Sequence, residues 1–320
     1  MKELYDAAQQ LILNNYKDEL EPLVLDILTI SVMSLLLRNE KLTIERLPKI
    51  LNDITIYAED KSTLEISQSR LGNFQENELL SNACACSQRV ATFDEEKMEV
   101  QEKAYLIIST GVLADNIVEA IGKCTHEFTH LLRRGSIKLK DDTMYVTDGI
   151  KTTSINFKTN HRKCKHFYLE EGIVQRYTMQ ALDMLHEFVK KDSGPKSNTI
   201  SCFKRNYPKR FQNPYAICTD LLNQLCEDNN FNILVDETIC LGEETSELIS
   251  YFNSLVGDKV SLFTNFSKDL DTCNELFFSH DRVGAMQLYV QLKQGVAWMK
   301  KISSSKKLNK KRNTLLISSL

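Results

Sequence analysis

The chain has no run of apolar residues long enough to span a bilayer. Its most apolar stretch, Leu23–Leu37, covers fifteen residues and carries Asp26, whereas a spanning helix needs about twenty. A buried helix is expected there. Charge of one sign is also missing: the formal net charge of −3 over 320 residues is spread along the sequence, and the body of the chain has no nucleic-acid footprint. The low apolar content of a disordered protein is absent too, since 42% hydrophobic residues suffice for a real core. No repeat period is evident. The first residues, Met1 to Ala8, are amphipathic and acidic, not the basic residue followed by an apolar block that a secretory leader would show. The nine cysteines are odd in number and mostly sit singly within apolar patterns, so reduced thiols in the cytoplasm are the expectation.

What the sequence does contain is His126-Glu127-Phe128-Thr129-His130, the H-E-x-x-H spacing of zinc-dependent hydrolases. On a helix the two histidines lie one turn apart and point the same way, so both can reach one ion. Glu127, rotated by about 100° around the axis, borders the place where water would sit. The surroundings suit a helix. Asn116 and Glu119 have capping-box spacing, and Ile117, Ile121, Phe128, Leu131 and Leu132 recur at helical intervals. Gly135 is the expected stop. Glu119, Lys123, His126, His130 and Arg133 fall on the other face, which predicts a polar cleft side opposite a buried side.

A third ligand must come from elsewhere. About forty residues on, Phe167 to Thr178 begins a second amphipathic helix with Glu170, Glu171 and Gly172 near its start, expected to end at Asp192–Pro195. Glu171 lies off the apolar stripe. Gly172 beside it would let this helix approach the histidine-bearing one closely.

The two motifs together, HEFTH and then Leu169-Glu170-Glu171-Gly172, resemble the gluzincin metallopeptidases, the thermolysin-like branch of the zincins. The resemblance covers about residues 105–190. It implies one zinc ion per chain held by His126, His130 and Glu171, with Glu127 as general base. The family pattern takes the glutamate directly before the small residue, which favours Glu171 over Glu170. Where the family often has an acid four residues after that ligand, this chain has Gln175, an amide that can still accept a hydrogen bond. His161, His166, Tyr168, Tyr177 and Tyr215 are candidates for the group that steadies an oxyanion, and spacing does not choose among them. The resemblance also implies a small sheet beside the metal helix, with an edge strand that pairs with an extended peptide or protein substrate. Arg89–Phe93 and Ala104–Ser109 are the strand candidates.

The expected fold class is α+β, predominantly helical: an N-terminal helical region (1–80), a zincin-like core with a small sheet (81–195), a C-terminal helical lobe (196–299) and a basic tail (300–320). Leu42–Leu51, capped by Thr43, reads as a short amphipathic element, and 53–82 as a mixed polar entry to the core. Met144–Phe157 reads as a hairpin turning on Asp148-Gly149, and 196–214 as a connecting loop. Tyr215–Cys226, Glu244–Leu255 and Val283–Lys293 read as helices. His161, Cys164 and His166 do not match the paired spacing of a structural zinc site, and their nearest complement, Cys84 and Cys86, is too tightly spaced. His186-Glu187 begins like the metal motif but has Lys190 where the second histidine would be, and reads as a solvated pair. The expected function is zinc-dependent peptide hydrolysis. Its alternatives are a regulatory peptidase of narrow range and a non-catalytic protein with a structural or vestigial zinc site, for which Cys164 or His166 would supply the fourth ligand.

Overall fold

A computed structural model describes residues 2–16, 20–39, 54–66, 85–94, 99–113, 116–133, 135–191, 197–240, 246–255 and 261–317. The Leu42–Leu51 element with Thr43, most of 53–82, Cys84 and the Asp192–Pro195 helix end lie outside them. The fold is mixed α+β and mostly helical, with two small sheets. It divides into two compact units, Met1–Ile137 with Tyr177–Asn213 and Lys138–Arg176 with Pro214–Leu320. Among the described residues no helix is long and apolar enough to cross a membrane.

In the first unit, α1 (Lys2–Asn15) packs on α2 (Pro22–Arg38). The latter contains the apolar run and is buried, as the run's length and Asp26 predict. Hydroxyls within it find local acceptors: Ser31 Oγ donates to the Ile27 carbonyl at 2.8 Å and Thr29 Oγ1 to the Leu25 carbonyl at 2.7 Å. Such back-bonding lets hydroxyls sit in a core that would otherwise penalise them. Asp26 accepts from Tyr5, Ser197 and Thr199.

A three-stranded sheet follows, β1 (Ile54–Glu59), β2 (Ala85–Asp94) and β3 (Glu99–Ser109), in the order β1-β3-β2. Both strand candidates are strands, but not equivalent ones. Ala104–Ser109 belongs to the central strand, parallel to β1 and antiparallel to β2, while Arg89–Phe93 belongs to β2 at the edge. The short α3 (Thr110–Leu113) leads to α4 (Ile117–Leu132), which packs against α2, β2 and β3.

A second sheet has the order β4 (Gly135–Lys140), β5 (Thr143–Asp148), β6 (Lys151–Asn156), β7 (Arg162–Lys165), and from Lys138 on its residues belong to the second unit. The hairpin is present with its turn one residue later than expected. Asp148 pairs with Lys151, Gly149 and Ile150 form the loop, and Gly149 takes a φ of 59° that suits a residue without Cβ. α5 (Phe167–Lys191) is one continuous helix whose residues up to Arg176 belong to the second unit and whose later residues belong to the first.

Residues 196–214 are not simply a loop, because α6 (Asn198–Asn206) lies within them. Ser197 caps it by accepting from Thr199 and Ile200 amides, and Ile200 and Phe203 are buried, so two apolar anchors outweigh the polar composition. Helices α7 (Ala216–Cys226), α8 (Asn229–Cys240), α9 (Ser246–Ser254), α10 (Leu262–Phe278) and α11 (Arg282–Ile317) complete the second unit. Phe252 at their centre contacts Phe231, Phe263 and Phe266 with ring centroids 5.2, 5.7 and 5.5 Å away. The basic segment after Lys300 continues α11 as far as Ile317.

Candidate metal centre

α4 begins where Asn116 Oδ1 accepts from the Glu119 amide at 3.4 Å, one arm of the capping box. The reciprocal arm is redirected: the Glu119 carboxylate accepts instead from the Gln212 amide at 2.9 Å and pairs with Lys123. Gly122 sits under Phe211, whose ring carbon lies 2.1 Å from where a Cβ would be, so a glycine is required for that contact. The helix stops at Arg133, whose extended backbone (φ −73°, ψ 144°) ends it before Gly135, which opens β4 instead of capping. The expected division into polar cleft and buried side does not hold. Twelve of the sixteen residues are buried, and His126, His130 and Arg133 are only 7, 6 and 2% exposed.

On this buried face the Nε2 atoms of His126 and His130 face each other at 3.1 Å. Two imidazole nitrogens so close share either a proton or a cation. A tetrahedral ion at ordinary zinc–nitrogen distances would hold them about 3.3 Å apart. A carboxylate completes the group: among the described residues, the one cluster of three or more His, Cys, Asp or Glu side chains suited to an ion is His126, His130 and Glu171. Their ligand atoms all lie within 4.8 Å of one another. Two imidazole nitrogens and one carboxylate oxygen, all buried, are a donor set that suits a divalent cation better than solvent.

The start of α5 is anchored on several sides, which fixes Glu171. Asp271 of α10 accepts from the Tyr168 amide at 3.0 Å and so caps the helix. Burial raises the Asp271 carboxyl to about 6, against the lowering effect of the Tyr168 and His166 amides and with Glu275 adding to the rise. Glu170, fully buried, accepts from the Ile150 amide of the hairpin turn at 3.0 Å, which commits this carboxylate to the second sheet. Arg176 reaches Asn223 at 3.0 Å, Asn232 at 2.6 Å and Asp236 at 3.6 Å. Gly172 provides a close approach, but to α7: an added Cβ would lie 2.6 Å from Cys218 Cβ.

Glu127 is half-buried and turned toward the edge strand. Its Oε2 accepts from the Ser87 amide at 2.8 Å and the Ser87 hydroxyl at 2.7 Å. Ser87 is opposite Leu106 in the ladder, so an amide spent on Glu127 is one that points away from β3. Nothing in the sequence singles out Ser87, because the contact spans forty residues. Lys151 was equally hidden, although its place in the closing pair of the hairpin follows from the turn. Burial works to lower its pKa, but Asp148, Glu171 and Glu170 outweigh burial and hold it above the ordinary lysine value.

The remaining candidates are scattered. Gln175 and Tyr177 are buried on α5, and the Arg38 guanidinium lies 4.9 Å from the Tyr177 ring centroid. His161 is exposed. His166, at a φ of 61°, is bonded through Nδ1 to Ser267 Oγ at 2.7 Å, and burial together with Lys165 lowers its pKa. Tyr168 packs against Phe167 and Phe278, and burial pushes its hydroxyl up to about 12. Tyr215 stands at the start of α7. Cys164 is exposed on β7 near Thr153, so neither it nor His166 joins the triad. His186 is not solvated: its Nε2 lies 3.1 Å from the Lys204 carbonyl and its ring packs on Phe203 and Tyr207, while Glu187 pairs with Lys190 outside.

Comparison with protein-family profiles, with curated proteins and with solved structures finds no match to this chain.

Proposed function

We propose that the chain is a zinc-dependent peptidase of the gluzincin type, with His126, His130 and Glu171 holding one zinc ion and Glu127 as general base. The observation that carries this reading is the convergence of the H-E-x-x-H imidazoles with a carboxylate from a helix about forty residues away, all within 4.8 Å. Held by these three side chains, zinc would supply Lewis acidity and would bring the pKa of water down to about 7.

The chain's own residues do the rest. Glu127 takes the proton from the attacking water and passes it to the leaving amine. Ser87 holds Glu127 Oε2 with two donors, which fixes the plane of the carboxylate and assigns the travelling proton to Oε1. In this reading α4 with the β1-β3-β2 sheet is a zincin-like core, and an extended peptide pairs with the outer edge of β2. Support comes from the place of β2 at the edge of the β1-β3-β2 order. The described free thiols, Cys86, Cys124, Cys164, Cys202, Cys218, Cys226 and Cys273, support a reducing cytoplasmic setting.

A second reading, a binding protein with a purely structural ion, draws on the burial of all three donors, at 7, 6 and 5% exposed. It would call for a fourth protein ligand. Two measurements on the purified chain separate the readings: its zinc content, and its cleavage of a mixed peptide library before and after chelation. About one zinc per chain, with cleavage lost on chelation and restored by zinc, supports the peptidase. Bound zinc with no cleavage of any peptide or protein supports the structural site.

A further inference from the structure

α11 differs from the rest of the chain in charge and in what it exposes. Its 36 residues include nine Lys and Arg and no Asp or Glu, in a chain whose net charge is −3. Seven of those cations fall between Lys300 and Arg312. One face is packed inward, with Ala285, Leu292, Val296 and Met299 at 2, 5, 0 and 2% exposure. The opposite face is uncovered: Val283, Met286 and Val290, at i, i+3 and i+7, are 70, 60 and 45% exposed, and Trp298 is 49% exposed. Phe277 and Phe278, at the end of α10, are also exposed, at 46 and 39%. At Gly295 an added Cβ would meet nothing within 4 Å. Exposed Gln287, Gln291 and Gln294 stand among these residues, so the outer face is amphipathic, with bulky apolar groups at 283, 286, 290 and 298 left exposed to water.

From charge complementarity we infer that α11 docks the protein on an anionic lipid surface, lying in the headgroup layer with its outer apolar face toward the acyl chains. A second copy is disfavoured, because it would bring nine cations against nine with no acid on either helix. Lys293 and Lys300 pair with Asp220 and Glu227 within the chain, but Lys301 is exposed and the cluster continues beyond it. The six cations from Lys301 to Arg312 match the about four to eight that give electrostatic attachment to anionic leaflets. Lysines outnumber arginines seven to two on the helix, which suits point attraction to headgroups more than bidentate reading of a folded partner. Tryptophan and bulky apolar side chains beside lysines are the composition of a helix that lies in the interface. The helix does not span: no described helix is apolar enough for that.

Trp298 is the chain's one tryptophan and therefore a built-in reporter. The full-length protein is titrated with phosphatidylcholine vesicles with or without phosphatidylserine at about 0.1 M salt. The expected result is a blue shift of Trp298 emission and co-sedimentation with the phosphatidylserine vesicles, at least about 10-fold stronger than with phosphatidylcholine alone. Binding should weaken by a similar factor at about 1 M salt. Two independent variants, M286E with V290E and K306E with K307E and K310E, should each lose binding while far-ultraviolet circular dichroism stays unchanged. Equal binding to both vesicle types overturns the inference, as does binding that survives the charge reversals. A shift produced by polyglutamate or by an RNA homopolymer and not by vesicles overturns it in favour of an acidic macromolecule.

Discussion

α4 buries twelve of its sixteen residues, two histidines among them, whereas α11 leaves Val283 and Met286 at 70 and 60% exposure. Each departs from the usual arrangement of polar outside and apolar inside, in opposite directions. A buried polar group must find its partner within the fold, so α4 gathers specific donors: the two imidazoles against each other and Glu171, and Glu127 against Ser87. An exposed apolar group is completed from outside, so α11 has a surface and no constellation. The first kind of exception points to chemistry at defined atoms, and the second to association.

The largest effect should come from Glu127→Gln. Turnover should fall by about 10²- to 10⁴-fold with zinc content unchanged, read by peptide cleavage and by elemental analysis of the same sample. Unaltered turnover would remove Glu127 from the mechanism. Next comes a pair of glycines, one on each helix. Gly122→Ala places a methyl 2.1 Å from Phe211 and should cost about 1–3 kcal/mol in denaturant unfolding. Gly295→Ala meets nothing within 4 Å and should stabilise by about 0.5–1 kcal/mol through helix propensity. Equal effects at the two sites would erase the contrast between a closed helix and an open one.

A smaller effect concerns the cap of α5. The Asp271 carboxyl is raised from 3.8 to about 6 in the folded chain, mainly by burial. The folded state therefore keeps a proton that the unfolded chain has lost. The stability this group contributes is full below about pH 3.8, declines as the pH rises and is gone above about pH 6. The difference in unfolding free energy between wild type and Asp271→Asn should accordingly shrink from pH 4 to pH 7. A pH-independent difference would contradict the assignment.

Local pattern made much of this legible. The apolar run became α2, the capped H-E-x-x-H segment became α4, and the Gly149 turn became a hairpin because each depends on residues within a few positions of one another. Long-range pairing was not legible. β1 is parallel to β3 at a distance of fifty residues, Ser87 meets Glu127, and Gly172 admits Cys218 instead of the histidine helix. α6 was hidden by its polar composition, since a Ser197 cap and two buried anchors sufficed to form it. Burial of the histidine face was hidden as well, because periodicity assigns a face but not what covers it. Adjacent carboxylates illustrate the boundary: Glu170 and Glu171 look alike in sequence, and they are told apart by the Ile150 amide on one and the imidazoles near the other.

That distinction offers the most direct test. Zinc content is measured on the purified wild-type chain, on Glu171→Gln and on Glu170→Gln, with folding followed by circular dichroism. The account predicts about one ion in the wild type, near-complete loss in Glu171→Gln, and retention in Glu170→Gln despite a stability cost of about 1–3 kcal/mol from the weakened buried bond. A wild type that binds no zinc, or a folded Glu171→Gln that binds as much as the wild type, would contradict it.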